Sequence, residues 1–298
     1  MSAPTHTRTR PKVLAYLALM KLRIVELLLV TTVPTMIVAA EGIPSLWLIA
    51  ATVIGGTLAA GGAHAFNMYI DRDIDRLMER TKDRPLVTGE ISPREGLTFA
   101  FAVEIAAFYW LWATVNLLSA ALAVSATLFY VFVYSLWLKR NSTANIVIGG
   151  AAGAVPVLVG WSAVTNTLDW PPVVLFAVIF MWTPPHFWAL AIRYRDDYQA
   201  AEVPMLPAVT SLEHTASRIV AYSVVLWGLT LLFAPVADMG LIYVVAATVV
   251  GAVFVGLAVK VYRDPQPKLA MALFGWSITY VTLLFAAMAI DVVARHGV

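Results

Sequence analysis

Residues 64–94 read HAFNMYIDRDIDRLMERTKDRPLVTGEISPR, the most densely charged stretch of the chain. Asn67, Asp71 and Asp75 stand four residues apart, with Asp73 and Glu79 beside them. On a helix this spacing aligns the three side chains on one face. Two carboxylates so aligned repel each other and must be solvated, paired or bound to a cation. A hard divalent ion such as Mg²⁺ takes oxygen ligands and is often held by one or two carboxylates together with substrate phosphates. Arg80, Lys82 and Arg84 follow directly. Such side chains meet phosphate oxygens, arginine bidentately. The pattern suits a carboxylate–Mg²⁺–phosphate site backed by a basic loop. The competing reading is a solvated, salt-bridged helix end. Asn67, facing the same way as the aspartates, favours the site.

The elements that must position these residues are membrane spans. The 298-residue chain is 60% hydrophobic and only 13% charged, with a mean hydropathy of +0.80, against about 25% charged in soluble domains. Nine apolar segments are long enough to cross a bilayer, which takes about 20 residues each. They run roughly over 24–40, 46–66, 96–115, 118–138, 144–163, 172–192, 218–235, 239–259 and 270–291. The breaks at 116–117 and 236–238 are short. Spans must be helical, since lipid offers backbone groups no partner. The fold expected is therefore all-α, a polytopic membrane protein forming one domain over 1–298, with residues 1–20 as a flexible tail. The chain has no cysteine, which excludes disulfides and thiolate chemistry. No signal-peptide pattern opens it.

The loops alternate in charge. One side receives 19 of the 20 basic residues, and the other receives only Arg295, with Glu41, Asp169, Asp238 and Asp291. The positive-inside rule puts the basic side, the N-terminus and both long loops in the cytoplasm, and the C-terminus outside. The basic residues lie in short juxtamembrane loops, which argues against nucleic-acid binding. The second long loop, 193–217, carries Arg193, Asp196 and Asp197, and Pro204 and Pro207 bar a continuous helix. Polar groups at membrane depth are expensive and tend to face the bundle interior. Here they are Glu26, Glu104, Asn145 and His186. Arg23 and Glu26 stand close enough to pair. Tyr130 and Tyr134, one turn apart, can line a cavity. His64 is read equally well as packing. The Gly- and Ala-rich run after Asn145 reads as close helix packing.

NMYIDRDIDRLMERTKDRPLVTGEISP closely resembles the signature of the protoheme IX farnesyltransferases, the haem O synthases of the UbiA superfamily of membrane prenyltransferases. The resemblance continues through LKRNSTANIVIGGAAGAVPVLVGW and MWTPPHFWALAIRYRDDYQAAEVPMLP. The last of these points to the haem-modifying branch. It implies nine helices around a central cavity open to the cytoplasm. It implies farnesyl transfer from farnesyl diphosphate to a vinyl group of protohaem, a substrate rather than a cofactor, with two Mg²⁺ ions. It implies residence in the cytoplasmic (inner) membrane, with haem A synthase or terminal oxidase assembly proteins as partners besides the lipid bilayer.

Carried over by the resemblance, Asn67, Asp71, Asp75 and Asp197 are the metal-binding, catalytic set. Arg80, Lys82 and Arg84 are diphosphate contacts; from their positions alone, His186, Tyr134, Asn145 and Arg193 are read as further substrate contacts. The chain departs from the superfamily's DxxxD second motif in having adjacent Asp196 and Asp197, and Glu202 stands where relatives carry a small or neutral residue. Three rival readings are a prenyltransferase acting on an aromatic quinone precursor, a transporter using Glu26, Glu104 and His186, and a haem-handling assembly factor.

Overall fold

The computed structural model describes residues 11–296, with the side chains of residues 23–29 outside that description, so the expected Arg23–Glu26 pair lies outside the described residues. The helices in chain order are α1 (Lys12–Leu19), α2 (Leu22–Ala39), α3 (Leu46–Ile70), α4 (Arg72–Leu77), α5 (Pro85–Thr88) and α6 (Pro93–Thr114). There follows α7 (Leu117–Leu128), which runs through a π-helical stretch, Phe129–Leu138, into the turn α8 (Lys139–Asn141). After it come α9 (Asn145–Thr165), α10 (Trp170–Arg193), α11 (Arg195–Ala200), α12 (Leu206–Val209), α13 (Leu212–Val236), α14 (Leu241–Arg263) and α15 (Pro267–His296). Among the described residues there is no strand.

Among the described residues, eight helices are long and apolar enough to span a membrane, with the continuous run Leu117–Asn141 from α7 to α8 counted as one. The protein is thus a multi-pass membrane protein. The ninth expected span corresponds to α2, 18 residues long, whose described apolar part is Val30–Ala39.

Local chemistry sets the boundaries. Ser92 and Glu95 form a capping box, with Pro93 in the first turn, and start α6. Asn116 accepts from the Ser119 N–H at 2.8 Å and donates to the Ser162 carbonyl at 2.7 Å, which splits α6 from α7 and ties the turn to α9. The long helices pack in succession, α2 on α3, then α6, α7, α9, α10, α13, α14 and α15, and α15 closes back on α2. The α2–α9 contact is close: a Cβ on Gly160 would lie 2.7 Å from the Thr32 carbonyl oxygen. Small residues at such crossings let backbones approach. An apolar groove of about 650 Å³ runs along α14 and α15, lined by Leu241, Val245, Val249, Leu283 and Ile290, at the end of the ring away from the charged loops.

The N-terminal segment corrects one expectation. Residues 12–19, read as part of a flexible tail, form α1, with Ala15 and Leu19 fully buried. Those two side chains join a cluster with Ala65, Phe66, Leu86 and Ile91, and Lys12 pairs with Glu95 at 2.7 Å. The segment reads KVLAYLAL, apolar but too short to span a membrane, and its apolar face docks against the bundle instead.

At the opposite end of the ring, buried Asp291 holds the start of α14. It accepts from Gly240 N–H at 2.5 Å and from Tyr243 N–H at 3.2 Å, with Arg295 at 3.7 Å. Helix N-termini have unpaired N–H groups that such a carboxylate satisfies. Asp291→Ala is expected to cost about 2 kcal/mol of stability, read as a lower unfolding midpoint in detergent.

Candidate active site

The charged row sits where α3 gives way to α4. Asp71 is the residue at which α3 ends, yet the register carries through. Asp71 N–H donates to the Asn67 carbonyl at 2.9 Å, and Asp75 N–H donates to the Asp71 carbonyl at 2.8 Å. The three side chains therefore keep a common face across the break, and all three are buried, Asp71 at 0% and Asp75 at 2% exposure. Asn67 Nδ2 donates to Asp71 Oδ2 at 2.6 Å and to Ser135 Oγ at 3.2 Å. The structure brings this part of the expected site together.

Cations close over it. Arg84 donates to Asp75 Oδ2 at 2.5 Å, because the loop after α4 folds back: Thr81 Oγ1 donates to the Asp75 carbonyl at 3.1 Å. Lys139, in α8, ion-pairs with Asp71 Oδ2. Lys21, in the turn between α1 and α2, donates to Asn67 Oδ1 at 3.3 Å. Burial pushes the Lys21 ammonium pKa well down, and the neighbouring Arg84 and Lys139 charges push the same way. Arg140 grips Asp73 through two bonds of 2.7 and 2.8 Å and lies 4.0 Å from Asp71 Oδ1. That fork holds the Asp73 carboxyl below the ordinary range.

The two long loops meet. Ile74 and Met78 from the first pack with Tyr198, Ala201, Val203 and Met205 from the second, and with Ile146 and Tyr134. Arg80 hydrogen-bonds the Tyr198 hydroxyl, whose pKa burial raises. Asp196 is exposed and Asp197 half-buried, with Asp197 Oδ2 buried and unpartnered. Asn145, in the first turn of α9, donates to the Pro204 carbonyl at 3.5 Å, and its Oδ1 is likewise buried without a partner. Glu202 lies just past α11 at φ +52°, a left-handed position that favours residues without a Cβ.

Tyr134 lies on the π-helical stretch, stacked on Tyr130 at 5.3 Å and 16°. A Cβ on Gly149 would collide with its ring, so the glycine of α9 makes the room Tyr134 occupies. π-Helical stretches recur at functional sites. His64 abuts Tyr130 edge-on at 6.0 Å, with both ring nitrogens buried and unpartnered.

Three expected residues stand apart from the cluster. Lys82 is 47% exposed and pairs with Glu79. Arg193 is exposed at the end of α10. His186 is clamped between Trp182 at 4.2 Å and Phe274 at 4.6 Å, with Nδ1 2.6 Å from Ser277 Oγ. Lys82→Gln is therefore expected to change turnover by less than about threefold, as exposed pairs are weak. Arg84→Gln, which removes the cation paired with Asp75, is expected to raise KM for an anionic substrate about 30-fold, the scale of a lost charge-assisted bond. Steady-state kinetics on both variants check the contrast.

Sequence reasoning missed Lys21, Lys139 and Ser135 as members of the site. The two lysines were visible only as basic residues at span ends.

Oxygen donors left over in the cluster suit a hard cation. Asp71 Oδ1, and Asp197 Oδ2 of the second loop, are buried without hydrogen-bond partners, oxygen positions of the kind a hard divalent cation takes. Among the described residues, no three acidic or histidine side chains already converge as a metal cluster.

Residues 28–290 match the model of the UbiA prenyltransferase family. The chain belongs to that family. Within it, the chain is 56% identical over 286 residues to a protein of Parafrankia sp. (strain EAN1pec), covering 95% of this chain and 91% of that one. It is 55% identical over 288 residues to one of Frankia alni, covering 95% and 99%, and 51% identical over 283 residues to one of Clavibacter sepedonicus, covering 94% and 92%. Each of the three is named protoheme IX farnesyltransferase. Two solved structures share the UbiA fold. One, of a digeranylgeranylglyceryl phosphate synthase, has a TM-score of 0.79 at 16% identity, covering 95% of this chain and 99% of that one. The other, a UbiA homolog from Archaeoglobus fulgidus bound to GPP and Mg²⁺, has a TM-score of 0.66 at 18% identity, covering 92% and 99%.

Proposed function

We propose that the protein transfers the farnesyl group of farnesyl diphosphate to a vinyl group of protohaem IX, giving haem O and diphosphate. The observation that carries this reading is identity above 50% across nearly the whole chain with protoheme IX farnesyltransferases. The buried Asn67–Asp71–Asp75 row, facing a ring of cations, supports it from the side of the chemistry.

Asn67, Asp71, Asp75 and Asp197 would hold magnesium. Bound there, it neutralises diphosphate charge and so improves the leaving group. Arg80 and Arg84 bind the diphosphate oxygens and stabilise the negative charge that grows as the allylic C–O bond breaks. The electron pair of that bond leaves with the diphosphate. The terminal vinyl carbon then supplies the pair for the new C–C bond. Water adds at the inner vinyl carbon and loses a proton, which leaves the hydroxyethylfarnesyl side chain. Apolar walls of the helix ring keep water away until the C–C bond forms. Tyr134 and Asn145 border the site and are assigned to the prenyl head. His186, its ring faces taken by Trp182 and Phe274, is assigned at most an edge contact with the porphyrin.

The site opens on the cytoplasmic side of the cytoplasmic membrane, the N-terminus inside and the C-terminus outside. The support is the concentration of 19 of 20 basic residues on the loops of one side. Incubation of purified protein with farnesyl diphosphate, Mg²⁺ and either protohaem or 4-hydroxybenzoate, read by product mass, tests the reading. Farnesylated, hydrated haem alone is expected. A prenylated aromatic acid in its place overturns the assignment of the acceptor.

A further inference from the structure

The cluster's charges are already balanced: Arg84, Lys139 and Arg140 pair with Asp75, Asp71 and Asp73. Two of the carboxylates already have largely shielded counter-ions. Lys139, 15% exposed, is paired with fully buried Asp71, and Arg84, also 15% exposed, with Asp75. A dication bound to Asp71 would lie against the Lys139 ammonium with only the carboxylate between them, and at such separation like charges repel strongly in a buried setting. A diphosphate changes the balance. It gives Lys139 an alternative anion, and frees Asp71 for the metal.

We propose that Lys139 is a positioning residue that blocks metal binding to Asp71 until diphosphate arrives, and then moves from the carboxylate onto the diphosphate. Metal and prenyl diphosphate therefore bind cooperatively, and bare metal binds poorly. This rests on the prenyl diphosphate reading above, and it goes further by assigning the order of assembly to one side chain. Asn67 assists, since it donates to the same Asp71 oxygen and is held from behind by Lys21. By linkage, the factor by which diphosphate tightens metal is also the factor by which metal tightens diphosphate.

The test is Mn²⁺ binding followed by electron paramagnetic resonance on the full chain in nanodiscs, with and without unreactive farnesyl thiolodiphosphate. In the wild type the analogue is expected to tighten Mn²⁺ at least about tenfold, within the usual range of coupling between sites. In Lys139→Gln, Mn²⁺ alone is expected to bind about tenfold tighter than in the wild type, and the analogue to add less than about threefold. Lys139→Arg keeps the wild-type pattern. Lys139→Gln protein that binds Mn²⁺ alone no more tightly than wild type overturns the proposal. Should that variant fail to fold, the wild type decides: equal Mn²⁺ affinity with and without the analogue also overturns it. A protein that shows the Mn²⁺ pattern but makes no farnesylated haem would fail the functional reading and leave this one standing.

Discussion

Asp71→Asn is expected to lower farnesyl transfer by about a thousandfold or more, the scale on which a single transition-state electrostatic group acts. Asp71 is the one carboxylate of the row with no solvent exposure, and it meets Asn67, Lys139 and Arg140. The amide keeps its size but not its charge. Two effects follow. The oxygen donor becomes a weak metal ligand, and the largely shielded Lys139 ammonium loses its counter-ion, which costs stability. Membrane abundance and thermal unfolding in detergent separate these effects. Protein that stays folded while turnover collapses fits the assigned role. Turnover near wild type removes Asp71 from the mechanism.

The second large effect contrasts two neighbours. Asp197→Asn is expected to reduce turnover about a hundredfold, whereas Asp196→Asn changes it less than about threefold. They are adjacent in sequence, so α11 turns them to different directions. Asp196 is exposed, and Asp197 has an oxygen buried without a partner. A buried carboxylate oxygen without a partner is costly unless a ligand meets it, and the second loop packs against α4 through Ile74 and Tyr198, which is the ground for expecting a role at Asp197. Paired turnover measurements at saturating Mg²⁺ test the contrast. Equal losses in both variants would mean that the second loop acts through its fold rather than through Asp197.

Much of this was legible in the chain because the membrane imposes simple rules. Alternation of basic and acidic loops is what a polytopic chain imposes, and eight of the nine expected spans match helices of spanning length among the described residues. The mismatch lies mostly at the ends that carry the basic loops, where helices continue past the apolar run: α13 begins at Leu212, six residues before the expected 218. Those turns carry Glu213, His214 and Arg218, which a hydropathy reading leaves outside. The Asn67–Asp71–Asp75 row was legible because the helical period survives the α3–α4 break. The Lys139–Asp71 and Lys21–Asn67 pairs were not, since they join residues 68 and 46 positions apart, and nothing local marks a lysine at a span end as inward-facing. The π-helical stretch was equally hidden, since FYVFVYSLWL fits any buried helix. Only part of the basic loop turns inward: Arg84 reaches Asp75 while Lys82, two residues earlier, faces solvent.

The central claim is that acidic side chains at one end of the helix ring hold a divalent cation that in turn holds the diphosphate of the prenyl donor. The most direct measurement is phosphorus hyperfine coupling to Mn²⁺ in the purified protein with farnesyl thiolodiphosphate bound. Coupling to phosphorus in the wild type that disappears in Asp71→Asn and Asp75→Asn is the result expected. Mn²⁺ bound with no phosphorus coupling, or coupling untouched by either substitution, would contradict the account.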